Sequence, residues 1–481
     1  MRKAKILATL GPASREPAVL EALLAAGVNG VRINMSHGTQ EEHAENIKRA
    51  RAAATSMKRP LAVLVDLSGP KIRTGTLRGG VPIQLQANQT FILTTRDVEG
   101  DVTQVSTNYS GIARDVKPGA RILLDDGLIE LHVENTTDTD VICRVINGGP
   151  LSERKGINLP GASLPIPSLT EKDRRDLKWA VEQRADFIAL SFVRRAQDCI
   201  EAKELIQAEG GSAPLIAKIE KAEAITNLDE IVAATDGLMV ARGDLGVETS
   251  VELVPVYQKR IIEKANLAGK LVITATQMLQ SMVVNPRPTR AEASDVANAV
   301  WDGSDCLMLS NETAMGANPV GAVATMARII ETSEVGRKAS SNVGITQWLG
   351  KQSGRFSRAL CEAAVFAGAE MSTRTTVVFT ESGLMARRLS ALRPDQRIVA
   401  LTSSPLVRDE LALIWGVETL VHQPCNTTEG MMRVGEQVLL ENGVVDMGEL
   451  VVVMAGKLSG LGLSRTVKLH EIGDSISQKS T

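Results

Sequence analysis

The chain has 481 residues, 43% hydrophobic and 23% charged, with a formal net charge of −2. That length exceeds one ordinary core and predicts two or three domains. The balanced charge, without a long basic block, gives no support to nucleic-acid or anionic-membrane binding. Only 2% of residues are aromatic, so aliphatic and Met side chains must fill the cores. Cys143, Cys199, Cys306, Cys361 and Cys425 are odd in number, far apart and without Cys-x-x-Cys spacing. They read as reduced thiols, neither a disulfide frame nor a zinc site. The first residues lack the apolar segment of a signal peptide, and no run is long enough to span a bilayer. A cytoplasmic protein is expected.

In chain order, the pattern predicts a strand over 5–9, a helix over 17–26, a strand over 30–34, a helix over 40–57 capped by Thr39, and a strand over 61–66. Strand–helix alternation marks a parallel sheet with crossover helices. The pattern then breaks. From about Pro70 to Pro167 short alternating segments at 82–85, 90–95, 121–124, 128–133 and 141–146 replace helices, and Asp126-Gly127 is a hairpin signal. A structureless loop of this length is improbable, so an inserted all-β domain between two hinges is expected. Alternation resumes with a capped helix start at Thr170 and strands over 186–191, 215–219, 237–241, 271–275 and 306–309. The helix before the last of these opens on a capping box from Thr289 to Glu292. Eight strands with following helices predict an α/β chain built as a (β/α)8 TIM barrel with an inserted all-β lid. Residues after about Ser340 alternate again and predict a C-terminal α/β domain with a mostly parallel sheet. The expected division is 1–69 and 167–339 for the barrel, 70–166 for the lid and 340–481 for the last domain.

Function is legible where strands end. Leu215-Ile-Ala-Lys-Ile-Glu220 is a buried strand finishing in Lys218 and Glu220, which leave the same face. A lone Lys-x-Glu usually means a solvated edge or a surface ion pair. Here the next strand runs into Arg242-Gly243-Asp244, and two carboxylates from adjacent strand ends suit Mg²⁺, which binds few protein carboxylates and otherwise substrate oxygens and water. Arg32, Asn34, Ser36, His37, Asp66, Thr276, Ser310 and Glu312 also fall at or just beyond predicted strand C-termini. That is the rim where barrels of this kind carry their active sites.

Longer motifs then resemble one family. Arg32-Ile-Asn-Met-Ser-His-Gly38, Gly69-Pro-Lys-Ile-Arg-Thr-Gly75, Lys155-Gly-Ile-Asn-Leu-Pro160, Lys218-Ile-Glu220 and Met239-Val-Ala-Arg-Gly-Asp-Leu-Gly246 look like pyruvate kinase motifs. Ala275-Thr-Gln-Met-Leu279, Pro286-Arg-Pro-Thr-Arg-Ala-Glu292 and Met308-Leu-Ser-Asn-Glu-Thr-Ala314 complete the set, in order along the whole chain. The resemblance implies phosphoryl transfer from phosphoenolpyruvate to ADP, giving pyruvate and ATP in the last step of glycolysis. It implies Mg²⁺, with Mn²⁺ as an alternative ion, on Glu220 and Asp244. Lys218 and Arg32 would face the phosphoryl group, and Gly243, Asp244 and Thr276 the rest of the substrate. Thr276 and Ser310 would relay a proton to the enolate, although a strand-end hydroxyl bonded to backbone is the competing reading of each. Asn34, His37, Arg73 and, when the lid closes, Lys155 would contact nucleotide, although a helix-start cap or structural histidine is the competing reading of His37.

The resemblance further implies a homotetramer and a phosphorylated allosteric effector. The effector loop would be Thr380, Ser382 and Gly383, with a second loop over 456–460; ordinary helix capping explains both equally well. Met385 stands where family members often have Ser or Thr, and Asn311 replaces a usual Gly. The most informative departure is Lys71. Many family members have Glu there and bind K⁺ nearby through residues matching Asn34, Ser36 and Asp66. A tethered ammonium would repel K⁺ and take its place, so K⁺ is not expected to be required. Leu67, where K⁺-dependent relatives commonly have Thr, agrees. The rivals are another phosphoenolpyruvate- or pyruvate-handling barrel enzyme, a lyase or aldolase, and a catalytically silent metabolite-binding regulator. The first has no obvious need for Arg73, Lys155 and a closing lid. The second should have lost Lys218 or a metal carboxylate, and neither is missing.

Overall fold

The computed structural model describes residues 2–162, 164–338, 355–425, 427–455 and 466–474. Eight parallel strands close into a barrel: Lys5–Thr9, Gly30–Asn34, Ala62–Asp66, Phe187–Leu190, Leu215–Ile219, Gly237–Ala241, Leu271–Ala275 and Cys306–Leu309. They are numbered one to eight here, and strand eight pairs with strand one from Lys5↔Cys306 to Ala8↔Leu309. Most of these strands are buried on both faces, as expected of parallel strands wrapped in helices, and so read as continuous apolar runs. Inward-pointing Leu7, Leu64, Phe187, Ile216, Met239, Ile273 and Met308 fill the barrel. Ile6, Val63, Val65, Ile188, Leu238, Val240 and Leu307 face the helices.

Thr39, Thr170 and Thr289 each close a capping box at the start of their helices. Each satisfies helix N–H groups that would otherwise lack partners. The expected helix boundary at Met57 moves to Ser56 because Met57 is the C-cap. A short helix, Arg242–Glu248, follows strand six directly and was not foreseen; seven residues carry too little periodicity to announce themselves.

Between strands three and four the chain builds a lid. A curled six-stranded sheet and a two-stranded sheet enclose a core that includes Phe91, Leu93, Ile122, Leu131, Val133 and Val145. The hairpin at Asp125-Asp126-Gly127 has three successive positive φ angles, 51°, 54° and 88°. Strands Gln104–Ser106, Gly149–Leu151 and Ile157–Asn158 were missed; two or three residues cannot establish alternation. At the outgoing hinge Gly69 has φ +66°, and a Cβ there would meet the Phe192 ring at 2.6 Å and Ser191 Cβ at 2.9 Å. Only glycine serves both demands.

The C-terminal domain is a five-stranded sheet with only its last strand, Thr466–Glu471, antiparallel. The helix Pro405–Glu410 tightens into a 3₁₀ turn over Leu411–Leu413. That turn packs beneath the barrel, where Leu413 Cδ2 would lie 2.8 Å from a Cβ on Gly30. Lys5 Nζ donates to Val417 O at 2.7 Å, and Arg393 pairs with Asp305 at 2.8 Å. The domain therefore stoppers the N-terminal face and leaves the C-terminal rim open. The expected second effector loop, 456–460, lies outside the described residues.

On that lower face Asp186 is buried, and its Oδ2 accepts the Val63 N–H at 2.7 Å. Burial pushes its carboxyl up to about 7. An acid with a raised folded pKa holds its proton longer when folded, so stability falls as pH rises through the interval from about 4 to about 7. Asp186→Asn keeps an acceptor for Val63 and removes the titration. Relative to the native chain it should gain about 2 kcal/mol between pH 5 and pH 8, read from urea midpoints. An equal difference at both pH values would refute the assignment.

Candidate active site

The barrel delivers its charges to one rim. Lys218, the penultimate residue of strand five, points its ammonium at three groups: Ser191 Oγ at 2.7 Å, Glu220 Oε1 at 2.9 Å and Asp66 Oδ1 at 3.2 Å. Asp66, ending strand three, is shared with Arg32 of strand two, whose Nε and Nη2 each reach Oδ2 at 2.7 Å. Arg32 Nη1 also donates to Thr9 Oγ1 at 3.2 Å. Three strands, two, three and five, thus meet in one alternating array of two cations and two carboxylates. Asp66 and Glu220 are each 1% exposed, which makes mutual neutralisation obligatory.

The pKa directions follow. Burial works against the Lys218 ammonium, but Asp66 and Glu220 outweigh it and hold the pKa above the usual lysine value. Burial also opposes the Asp66 carboxylate, yet Lys218 and Arg32 keep it below its usual range. Glu220 is different: burial raises its pKa and nearby Asp244 adds to the rise, against the pull of Lys218 and the Phe192 N–H. Glu220 Oε2 accepts that N–H at 2.7 Å, from a residue with φ 55°. A divalent cation between Glu220 and Asp244 would relieve their repulsion. Among the described residues no cluster of three or more His, Cys, Asp or Glu forms a metal cage. A donor set of two carboxylates fits Mg²⁺, which draws its remaining oxygens from substrate and water.

Thr276 Oγ1 accepts the Gly243 N–H at 2.8 Å and donates to Ala275 O at 2.6 Å. Ser310 Oγ is shielded from solvent and finds no partner in the described residues, while its N–H donates to Glu312 Oε2 at 2.7 Å. Lys71 Nζ lies 3.8 Å from Asp244 Oδ1. Asn34 Oδ1 accepts the Ser36 N–H at 3.2 Å, and the Leu67 carbonyl accepts the Ser191 hydroxyl at 2.6 Å. The His37 pKa is lowered by burial and by Arg73, Lys71 and Arg32; its carbonyl meets the His43 ring at 2.7 Å.

Two expected nucleotide contacts are engaged within the lid: Arg73 Nη1 donates to Arg154 O at 3.0 Å, and Lys155 Nζ pairs with Asp125 at 2.9 Å. Thr380, Ser382 and Gly383 belong to the C-terminal domain, which docks against the opposite barrel face, and are not part of this rim. Gly383, at φ 72°, precedes the helix Leu384–Ala391 without a side-chain cap. Sequence reasoning missed Ser191, Thr9 and Arg242. Ser191 and Thr9 were polar residues at strand C-termini, a signal that could have found them.

A closed parallel barrel whose rim carries a caged lysine, an arginine and two metal-competent carboxylates under a hinged lid defines a barrel enzyme of anionic, phosphorylated substrates. The family model "Pyruvate kinase, barrel domain" matches residues 1–323, and "Pyruvate kinase, alpha/beta domain" matches residues 358–470. The chain is 43% identical over 482 residues to a pyruvate kinase of Bacillus licheniformis, covering 99% of this chain and 82% of that one. It is 42% identical over 474 residues to that of Corynebacterium glutamicum, covering 98% of each. A crystal structure of a pyruvate kinase from Cryptosporidium parvum superposes with a TM-score of 0.89 at 35% identity, covering 98% of this chain and 96% of that one. The chain belongs to the pyruvate kinase family, glycolytic phosphotransferases that move phosphoryl from phosphoenolpyruvate to ADP and are typically Mg²⁺-dependent. No described helix is long and apolar enough to cross a membrane.

Replacing Lys218 with Met removes the cation that, among the described residues, touches both Asp66 and Glu220. The expected loss in kcat is about 10²–10³-fold, the usual cost of deleting one preorganised charge donor, with KM for ADP changed less than threefold. Steady-state kinetics decide it, and a variant within tenfold of native kcat would remove Lys218 from the chemistry.

Proposed function

We propose that the rim works as follows. Phosphoenolpyruvate binds with its phosphoryl group between Lys218 and Arg32 and its carboxylate toward Gly243, Asp244 and Thr276. A Cβ on Gly243 would make only ordinary contacts, 3.5 Å to Thr276 Oγ1, so its lack of a side chain serves a ligand rather than protein packing. Glu220 and Asp244 hold Mg²⁺, or Mn²⁺ in its place, and the bound ion supplies charge neutralisation at phosphoryl and substrate oxygens. Asn34, His37, Arg73 and Lys155 receive ADP as the lid closes, which requires Arg73 and Lys155 to exchange Arg154 O and Asp125 for phosphate. A terminal oxygen of ADP attacks phosphorus, and the bond to the enol oxygen breaks with its electron pair. The enolate then takes a proton at its methylene carbon, relayed through Thr276 and Ser310. Positioning and charge, rather than covalent catalysis, carry such a transfer. The observation that carries this reading is the Lys218 ammonium caged between Asp66 and Glu220 at the mouth of the barrel.

Lys71 marks the chain, in this reading, as a bacterial-type member that does not need K⁺. Its ammonium lies over the rim, near enough to Asp244 to pair and to His37 to lower the imidazole pKa. With Asp244 committed to Mg²⁺, the ammonium would face Asn34, Ser36, Asp66 and Leu67, where K⁺ would otherwise sit. We further read the protein as a cytoplasmic homotetramer divided at 69/70, 166/167 and 339/340. A phosphorylated effector would bind at Thr380, Ser382 and Gly383.

Pyruvate formation from phosphoenolpyruvate, ADP and Mg²⁺ in K⁺-free buffer tests the assignment. The native chain should turn over without K⁺ and gain less than twofold on addition of KCl. Lys71→Glu should need KCl, with at least tenfold stimulation. K⁺-free activity unchanged in that variant would sink the role given to Lys71 and leave the kinase reading intact.

A further inference from the structure

Two consecutive residues at the end of strand seven lie in the left-handed region: Thr276 at φ 70° and Gln277 at φ 53°. That conformation is costly for any side chain and most of all for a β-branched one, so it persists only where surroundings impose it. What imposes it is Arg242. Its Nη2 donates to Thr276 O at 2.7 Å and to Gln277 O at 3.2 Å, and its Nε donates to Thr276 O at 3.2 Å. Its Nη1 donates to both carboxylate oxygens of Asp295 at 2.7 and 2.6 Å, and meets Gln258 Oε1 at 3.5 Å. The guanidinium is buried, and its planar fork suits this arrangement of two carbonyls on one side and a carboxylate on the other.

The chain position matters as much as the bonds. Arg242 directly precedes Gly243, whose N–H donates to Thr276 Oγ1. The loops after strands six and seven are therefore joined twice, once at the guanidinium and once at the hydroxyl, and Asp295 ties both to helix Arg290–Asp302. Without the fork, nothing else among the described contacts pins the Thr276 and Gln277 carbonyls. The left-handed pair would relax and carry the hydroxyl away from Gly243.

We propose that Arg242, anchored by Asp295, is a positioning residue that holds the Thr276–Gln277 turn left-handed and so aims the Thr276 hydroxyl at the reacting enolate. The inference rests on the proton-relay role given to Thr276 above. Arg242→Lys is the test, because one ammonium keeps the pairing with Asp295 but cannot fork two carbonyls.

Three readouts on the full-length enzyme are used: kcat, KM for ADP, and the rate at which D₂O exchanges into the methyl group of pyruvate, which reports the proton step. In Arg242→Lys, kcat and methyl exchange should fall together by about 10–100-fold, with KM for ADP within twofold. Adding Gln277→Gly should recover at least threefold of the loss, because glycine adopts positive φ without penalty. Unchanged kcat, or a fall in kcat with methyl exchange intact, overturns the proposal. So does a loss that glycine at 277 does not lessen. If Arg242→Lys does not fold, Asp295→Asn is measured the same way and must slow methyl exchange. Thr276→Val separates the two readings: native methyl exchange in that variant removes the relay role itself, whereas slow exchange there with native exchange in Arg242→Lys removes only the clamp.

Discussion

Everything at the rim depends on burying four charges at once. Asp66 stands between Arg32 and Lys218, and Lys218 stands between Asp66 and Glu220. Each member would be intolerable alone at that depth, and breaking such an array typically costs more than the array contributes to stability. The price is a rim that must assemble correctly or not at all. The benefit is a lysine that stays charged beside a glutamate whose pKa burial and Asp244 raise. Strand ends two, three, four and five are held in register by the same contacts, so the electrostatics position the backbone as much as the backbone positions the charges.

The lid and the C-terminal domain complete the arrangement from opposite ends. Gly69 lets the outgoing strand graze Phe192, whose N–H is on Glu220. The hinge is thereby one residue contact away from Glu220, which gives a physical route between lid position and rim geometry. Below, Leu413 and its neighbours share one apolar cluster with the barrel interior. That face carries stability, and the open rim carries chemistry.

Much of this was legible because strand periodicity and strand length are strong signals in buried parallel sheet. All eight barrel strands, the capping threonines and the gathering of Lys218, Glu220, Asp244, Arg32 and Thr276 at strand C-termini could be read directly. Three things could not. Very short lid strands give no period. From sequence Asp66 reads as part of a monovalent-cation region, since a sequence cannot say that Arg32 and Lys218 from distant strands converge on one carboxylate. The partnership of Arg242 with Thr276 and Gln277 depends on two backbone angles, and a Thr-Gln dipeptide does not advertise left-handed geometry as glycine or Asn-Gly would.

The insertion of the lid between strands three and four has a consequence for how the chain is made. Strands leave the ribosome in order, so the lid emerges when only three of the eight barrel strands exist. It has its own apolar core and can condense while the barrel is still an open sheet fragment. The barrel has no such freedom: Lys5 must wait for Cys306, a contact of very long sequence separation, and long-range pairing slows folding. The exposed edge of strand one is therefore a liability throughout synthesis. An early-folding lid anchored to strand three would shorten the effective span that strand four has to search.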